Sequence, residues 1–143
     1  MRNGVYAHIG IENSIKKYLM NTSHGDEIIK LDIGVDGVPV AKSSTSQLWP
    51  ILGNIVSSSD VFIIGIFHSY KKPVCANEYM LPFVNEMIQL QEKKINFRSR
   101  QYEVQIRSFI CDAPARSFLL VKFILLFLIR TVSKYLLILL LQV

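Results

Sequence analysis

The stretch "KKPVCANEYMLPFVNEMIQLQEKK", residues 71–94, constrains the fold most, because it sets one helix between extended segments. Met80, Phe83, Val84, Met87, Ile88 and Leu90 share one helical stripe, and Asn77 is a suitable N-cap. Pro82 falls in the first or second turn, where its cost is smallest. The Met-containing stripe is ordinary core packing. Three extended segments precede it. "EIIKLDIGV" (27–35) alternates strictly at Ile29, Leu31, Ile33 and Val35. "QLWPILGNIV" (47–56) carries Pro50, which argues for an edge or a bulge, and "VFIIGIFHS" (61–69) is a continuous apolar run, as in a strand covered on both faces. A fourth segment, "QYEVQIRSFICDAPAR", alternates at Tyr102, Val104 and Ile106, then at Phe109-Ile110. It ends at Asp112, with Pro114 placed to open a helix at its first position. Near the start, Ile11, Ile15, Tyr18 and Leu19 have helical spacing, which "NTSHGD" breaks. The predicted class is therefore α/β: three antiparallel strands, a crossover helix and a fourth strand in a mixed sheet with helices on its faces.

Two of these strands end in a carboxylate. "LDIGVDG" closes the first at Asp36-Gly37 and "FICDAPAR" closes the fourth at Asp112. In this order of elements the two strands can lie side by side, with their tips roughly 4.8 Å apart. Like charges that close need something positive between them, which is how a divalent-cation site arises. Carboxylates and water suit Mg²⁺ or Mn²⁺, and two such ions about 3.5–4 Å apart clamp a phosphodiester for in-line displacement. The simpler roles are a turn at Asp36 and a helix cap at Asp112. Asp32 shares a strand face with Asp36 and is a rival for the first position, but it lies further into the strand. Asp36, beside Gly37 at the tip, is the better placed for a ligand.

Composition adds bounds. A chain of 143 residues is one domain at most. Residues 1–117 have the mix of an ordinary soluble domain, while residues 118–143 are mostly Leu, Ile, Phe and Val. The formal net charge of +5, with Lys16, Lys17, Lys71, Lys72, Lys93, Lys94, Arg98 and Arg100, permits nucleic-acid binding and equally describes solvated surface charge. Cys75 and Cys111 make neither a metal spacing nor a disulfide framework, so both are expected as reduced thiols of an intracellular protein, Cys111 buried beside Asp112. "MRNGVYAHIGIENSIKKYL" lacks the apolar core of a secretory signal.

Three stretches in this order carry a family likeness. "LDIGVDGVPVAKSSTSQLWPILGNI", then "FIIGIFHSYKKP", then "ICDAPARSFL" resemble the transposase domain-containing proteins related to CACTA and Plavaka DDE transposases, from about Gly4 to about Leu120. The resemblance implies a partial ribonuclease-H-like fold over residues 1–117 and an ancestral metal-dependent cleavage and transfer of DNA strands. It implies Asp36 as the first acid and Asp112 as the second, Mg²⁺ or Mn²⁺ as the ancestral cofactor, DNA as the partner and the nucleus as the location. The departures count against a working site. Where the family continues into a His- and Cys-containing segment, this chain reads "LVKFILLFLIRTVSKYLLILLLQV", with no His, Cys or acid. The expectation is that the third acid and an amino-terminal DNA-binding module are missing. Glu78 and Glu86 lie on the crossover helix, where ribonuclease H itself carries a Glu, yet solvation is the ordinary role for both. The expectation is a truncated, catalytically inactive remnant.

Residues 118–143 form a hydrophobic tail of non-family sequence, expected to be helical. As a helix, 118–129 would be about 18 Å long, too short to cross a bilayer. A span over 123–141 gains from fourteen strongly apolar residues but bears Arg130 and Lys134, so its insertion energy is close to zero. A shifted-frame or intron-derived ending is one origin for such a tail. The alternatives to the remnant are a domesticated module that binds DNA or a protein, and a small tail-anchored membrane protein held through residues 118–143.

Overall fold

The computed structural model describes Met1 and residues 3–120. In chain order the elements are β1 (Val5–His8), α1 (Glu12–Asn21), β2 (Ile28–Val35), β3 (Val38–Pro39), β4 (Gln47–Ile55), β5 (Val61–Ser69), α2 (Ala76–Lys93), β6 (Ile95–Phe97), β7 (Arg100–Cys111) and α3 (Ala113–Leu120). The strands form one mixed sheet ordered β1-β5-β4-β2-β7-β6, with β3 paired to β4. Three antiparallel strands, a helical crossover and a fourth strand beside the first are as the sequence predicts. β2 and β7 pair in parallel, and α2 supplies the long connection that parallel pairing demands. Of the predicted helical tail over 118–143, residues 118–120 close α3, and the rest, with its membrane span, lies outside the described residues. Among the described residues no helix is long and apolar enough to cross a membrane.

The register sorts every strand residue to one face. Rows such as Phe62–Gly53–Ile33–Phe109 and Tyr6–Phe67–Trp49 point toward the helices. There Tyr79 meets Phe67 edge-on, Phe83 meets Phe109, and Phe118 meets Trp49. Ile29, Leu31, Ile33, Val35, Ile51, Phe67, Met80, Phe83 and Met87 are buried between sheet and helices. Of the helices expected on the faces of the sheet, α2 and α3 lie on one side by these contacts, and α1 is tied to α2 there. The predicted stripe on α2 is buried at Met80, Phe83, Met87 and Leu90 and half-buried at Val84 and Ile88.

Several local expectations change for identifiable reasons. Cys75, not Asn77, precedes the first helical residue of α2, so Asn77 lies within the helix. Pro114 stands second in α3 rather than first. Pro50 is inside the sheet, paired with Ile66. The β2 ladder starts only at Ile51, and a bulge follows between Ile51 and Leu52, so no central hydrogen bond needs the missing N–H. The broken alternation in β7 is also a bulge: Ile106 pairs with Leu31 and Ser108 with Asp32, which leaves Arg107 as the extra residue.

Candidate functional site

The last register pair of the parallel ladder is Val35 with Cys111, so Asp36 and Asp112 follow at adjoining strand ends. Both carboxylates act on the same thiol. Burial pushes Cys111 up first, a backbone hydrogen bond from Val35 opposes this, and the charges of Asp112 and Asp36 push it further up while Arg116 pulls it down. Cys111 is half-buried, less so than expected.

Each acid also has a structural task. Asp36 Oδ1 accepts the N–H of Gly37 at 2.7 Å. Gly37 does not adopt the left-handed conformation usually supplied by glycine in a turn. It is required by proximity: a Cβ there would lie 2.7 Å from Cζ2 of Trp49, well inside contact distance. Asp112 Oδ1 accepts the N–H of Ala115 at 2.7 Å, which makes Asp112 the N-cap of α3. Thus both simpler roles operate at these adjoining strand ends. Each carboxylate commits one oxygen to the backbone, which leaves its other oxygen for a ligand. Mg²⁺ is commonly held by one or two carboxylates with water and substrate phosphate completing its shell, so the donor set fits a two-ligand site. Among the described residues no group of three or more His, Cys, Asp or Glu side chains could hold a metal ion.

Asp32 is not a competitor for a ligand. Its carboxylate, 8% exposed, accepts the Nε of Arg107 at 2.8 Å and the Nη2 of the same guanidinium, and Ser108 Oγ donates to it at 2.6 Å. Deep in the strand, it is saturated by neighbours on β7.

Around the acids the same end of the sheet carries cations. β5 runs parallel to β2, since both are antiparallel to β4, so the loop after Ser69 rises at this end with Lys71 and Lys72. Lys72 Nζ sits 6.0 Å from the ring of Phe118, and Arg116 lies on α3 beside Asp112. Tyr79 donates its hydroxyl to the carbonyl of Trp49 at 3.1 Å, and burial drives its pKa far up. Beyond the rim, Ser46 Oγ and His68 Nε2 are 2.6 Å apart.

Glu86 departs from the expectation of simple solvation. Its Oε1 accepts the N–H of Ile11 at 2.7 Å and of Glu12 at 3.3 Å, and its Oε2 meets His8 Nε2 at 2.9 Å. Tyr6 OH in turn lies 3.0 Å from His8 Nδ1. Glu86 is therefore the anchor of β1 and α1, and nothing places it with the acids at the strand tips. Its position beside Met87 and three residues after Phe83, on the flank of the apolar stripe, is the one signal for this role in the sequence.

Comparison of the chain with protein-family models, with curated proteins and with solved structures gives no match in any of the three.

Proposed function

We propose that residues 1–117 are a transposase-derived, ribonuclease-H-like domain in which Asp36 and Asp112 are the ancestral ligands of Mg²⁺ or Mn²⁺, and that this chain does not cleave DNA. The observation that carries the reading is the parallel register ending at Val35 and Cys111, which brings the two carboxylates to adjoining tips. The order β5-β4-β2-β7, with α2 as the crossover, is the arrangement that the resemblance implies, and it supports the fold assignment. The N–H groups of Gly37 and Ala115 hold each acid in place by one oxygen. An ion bound there would neutralise phosphodiester charge and lower the pKa of its water. The inactive assignment is supported by the described residues, among which no third acid stands with these two in a group that could hold a metal ion.

The test uses the whole chain with Mn²⁺ alone. Mn²⁺ raises the melting temperature of the wild type, and Asp36→Asn and Asp112→Asn lose that rise. Asparagine caps a helix about as well as aspartate, so Asp112→Asn keeps its metal-free melting temperature. Equal Mn²⁺ responses in all three proteins would remove the shared site. Mn²⁺-dependent cutting of DNA, lost in both variants, would show that the chain is a working nuclease and overturn its assignment as inactive.

A second reading, a module that holds DNA in the nucleus, is favoured by Lys71, Lys72 and Arg116 at the same end of the sheet. It expects association that weakens steeply with salt and survives Asp36→Asn. Absence of binding to duplex DNA at low salt removes it.

A further inference from the structure

The face of the sheet opposite the helices is uncovered by any described element, and it is apolar toward the strand tips and polar below, where Asn54, Asp32 and Ser108 and then Lys30 and Gln105 lie. Its rows follow from the register: Ile63–Leu52–Gly34–Ile110 across the middle, Val61–Asn54–Asp32–Ser108 below, Ala7–Ile66–Pro50 and Val5–His68–Leu48–Val38 above. Val5 is 72% exposed, Ile110 62%, Val61 61% and Ile63 41%. A contiguous apolar surface spread over four strands is the mark of a surface that something covers.

We infer that residues 121–143 of the same chain cover this face. Seventeen of those 23 residues are apolar, so the segment has the same need to leave water as the face itself. Its starting point suits the task. α3 begins at the tip of β7, and its Phe118 lies against Trp49 of β4 and under Lys72 of the loop after β5. α3 thus leaves the strand tips on the helix side, and the remaining 23 residues start within α3's length of the end of the sheet. The open face is about 30 Å along its strands, and 23 residues extend to about 76 Å at most. The tether raises the local concentration of the segment to the millimolar range, ahead of a second copy at ordinary protein concentrations. Arg130 and Lys134 oppose the bilayer as a competing destination, each costing up to about 2.5–3.5 kcal/mol at a membrane centre. On a sheet face of limited width, both can reach water along their own aliphatic stems.

The full chain in buffer tests this with two measurements. Ile63→Cys and Val61→Cys are labelled by a maleimide, read peptide by peptide so that Cys75 and Cys111 do not interfere, against Leu81→Cys on the exposed side of α2. Positions 61 and 63 are expected to react at least tenfold more slowly than 81. Val61 is the safer variant, since a side chain so exposed in the described fold loses little by substitution. A photo-reactive benzoylphenylalanine at position 63 is expected to join a peptide from 121–143 within the monomer. Equal labelling rates at all three positions would mean an open face and overturn the inference. A cross-linked dimer would assign the face to a second copy. Loss of the internal product on adding phosphatidylcholine vesicles, with lipid adducts in its place, would assign the segment to the membrane.

Discussion

At Asp32 the chain buries a carboxylate in the middle of a sheet, which is tolerable only because its charge is paired. The bulge at Arg107 provides the pairing. The extra residue turns the guanidinium across the strand onto both carboxylate oxygens, and Ser108 adds a hydroxyl donor. These contacts, the Arg107 hydrogen bonds first, hold the Asp32 carboxyl below the usual carboxylate range, although burial pulls the other way. Arg107 is correspondingly pushed up by the same pair. A depressed pKa stabilises the fold above the unfolded carboxylate value of about 4, and that contribution is lost as pH falls through the lower folded value. Arg107→Gln should therefore lower the urea midpoint at pH 7, and the gap from wild type should narrow as pH drops below about 4. Ser108→Ala should show the same trend more weakly. A gap that stays constant across that pH range would mean that the charge pair does not carry the effect.

Among the elements, α1 depends most on a contact far away in sequence. Its ten residues are too few for independent stability, and Ile11 at its N-cap offers no side-chain acceptor. Glu86, on α2, fills that role with one oxygen on the N–H groups of the N-cap Ile11 and of Glu12, where an acid also complements the helix dipole. Its charge and, chiefly, burial push Tyr6 up to about 12. Glu86→Ala should cost about 1–2 kcal/mol in chemical denaturation, and Glu86→Gln, which keeps an acceptor oxygen, should recover much of that loss. A fully neutral Glu86→Ala would show that water caps α1 equally well. The long elements were legible from sequence because each carries its own period: β2 by alternation, β5 by its apolar run, α2 by its stripe. β1 and β6 were not. β1 is four residues at an edge, and β6 turns into β7 through Arg98 and Ser99 at φ 48° and 64°, without the Asn or Gly that usually announces such a turn. That Asp36 and Asp112 follow adjoining strand ends was legible, because the element order allows β2 and β7 to pair side by side. The task of Glu86 was not, since a charged residue on a helix flank has the same sequence signature whether it meets water or another helix.

For the molecule as a whole, the arrangement of strands makes β2 the element on which the rest depends. It pairs with β4 on one side and β7 on the other, its inward side chains lie under the helices, and Asp36 follows its end as Asp112 follows that of β7. The single tryptophan, Trp49, lies one strand away on β4, against Gly37 and Phe118, so its fluorescence reports on the acidic end of the sheet. If the described fold is one cooperative unit, unfolding followed by Trp49 fluorescence and by far-ultraviolet circular dichroism should coincide. Ile33→Ala then tests the unit from its centre. Ile33 is fully buried between Gly53 and Phe109 in register, so its truncation leaves a cavity that neither neighbour can fill without moving the sheet. The expected cost is about 2–5 kcal/mol, a large share of the roughly 5–15 kcal/mol that holds a domain together. Both probes should shift by the same amount. A fluorescence transition that moves while the dichroism transition stays would show that the strand tips fold and unfold apart from the body of the sheet. In that case the acids would meet only in part of the folded population, and any shared cation would bind more weakly by that fraction.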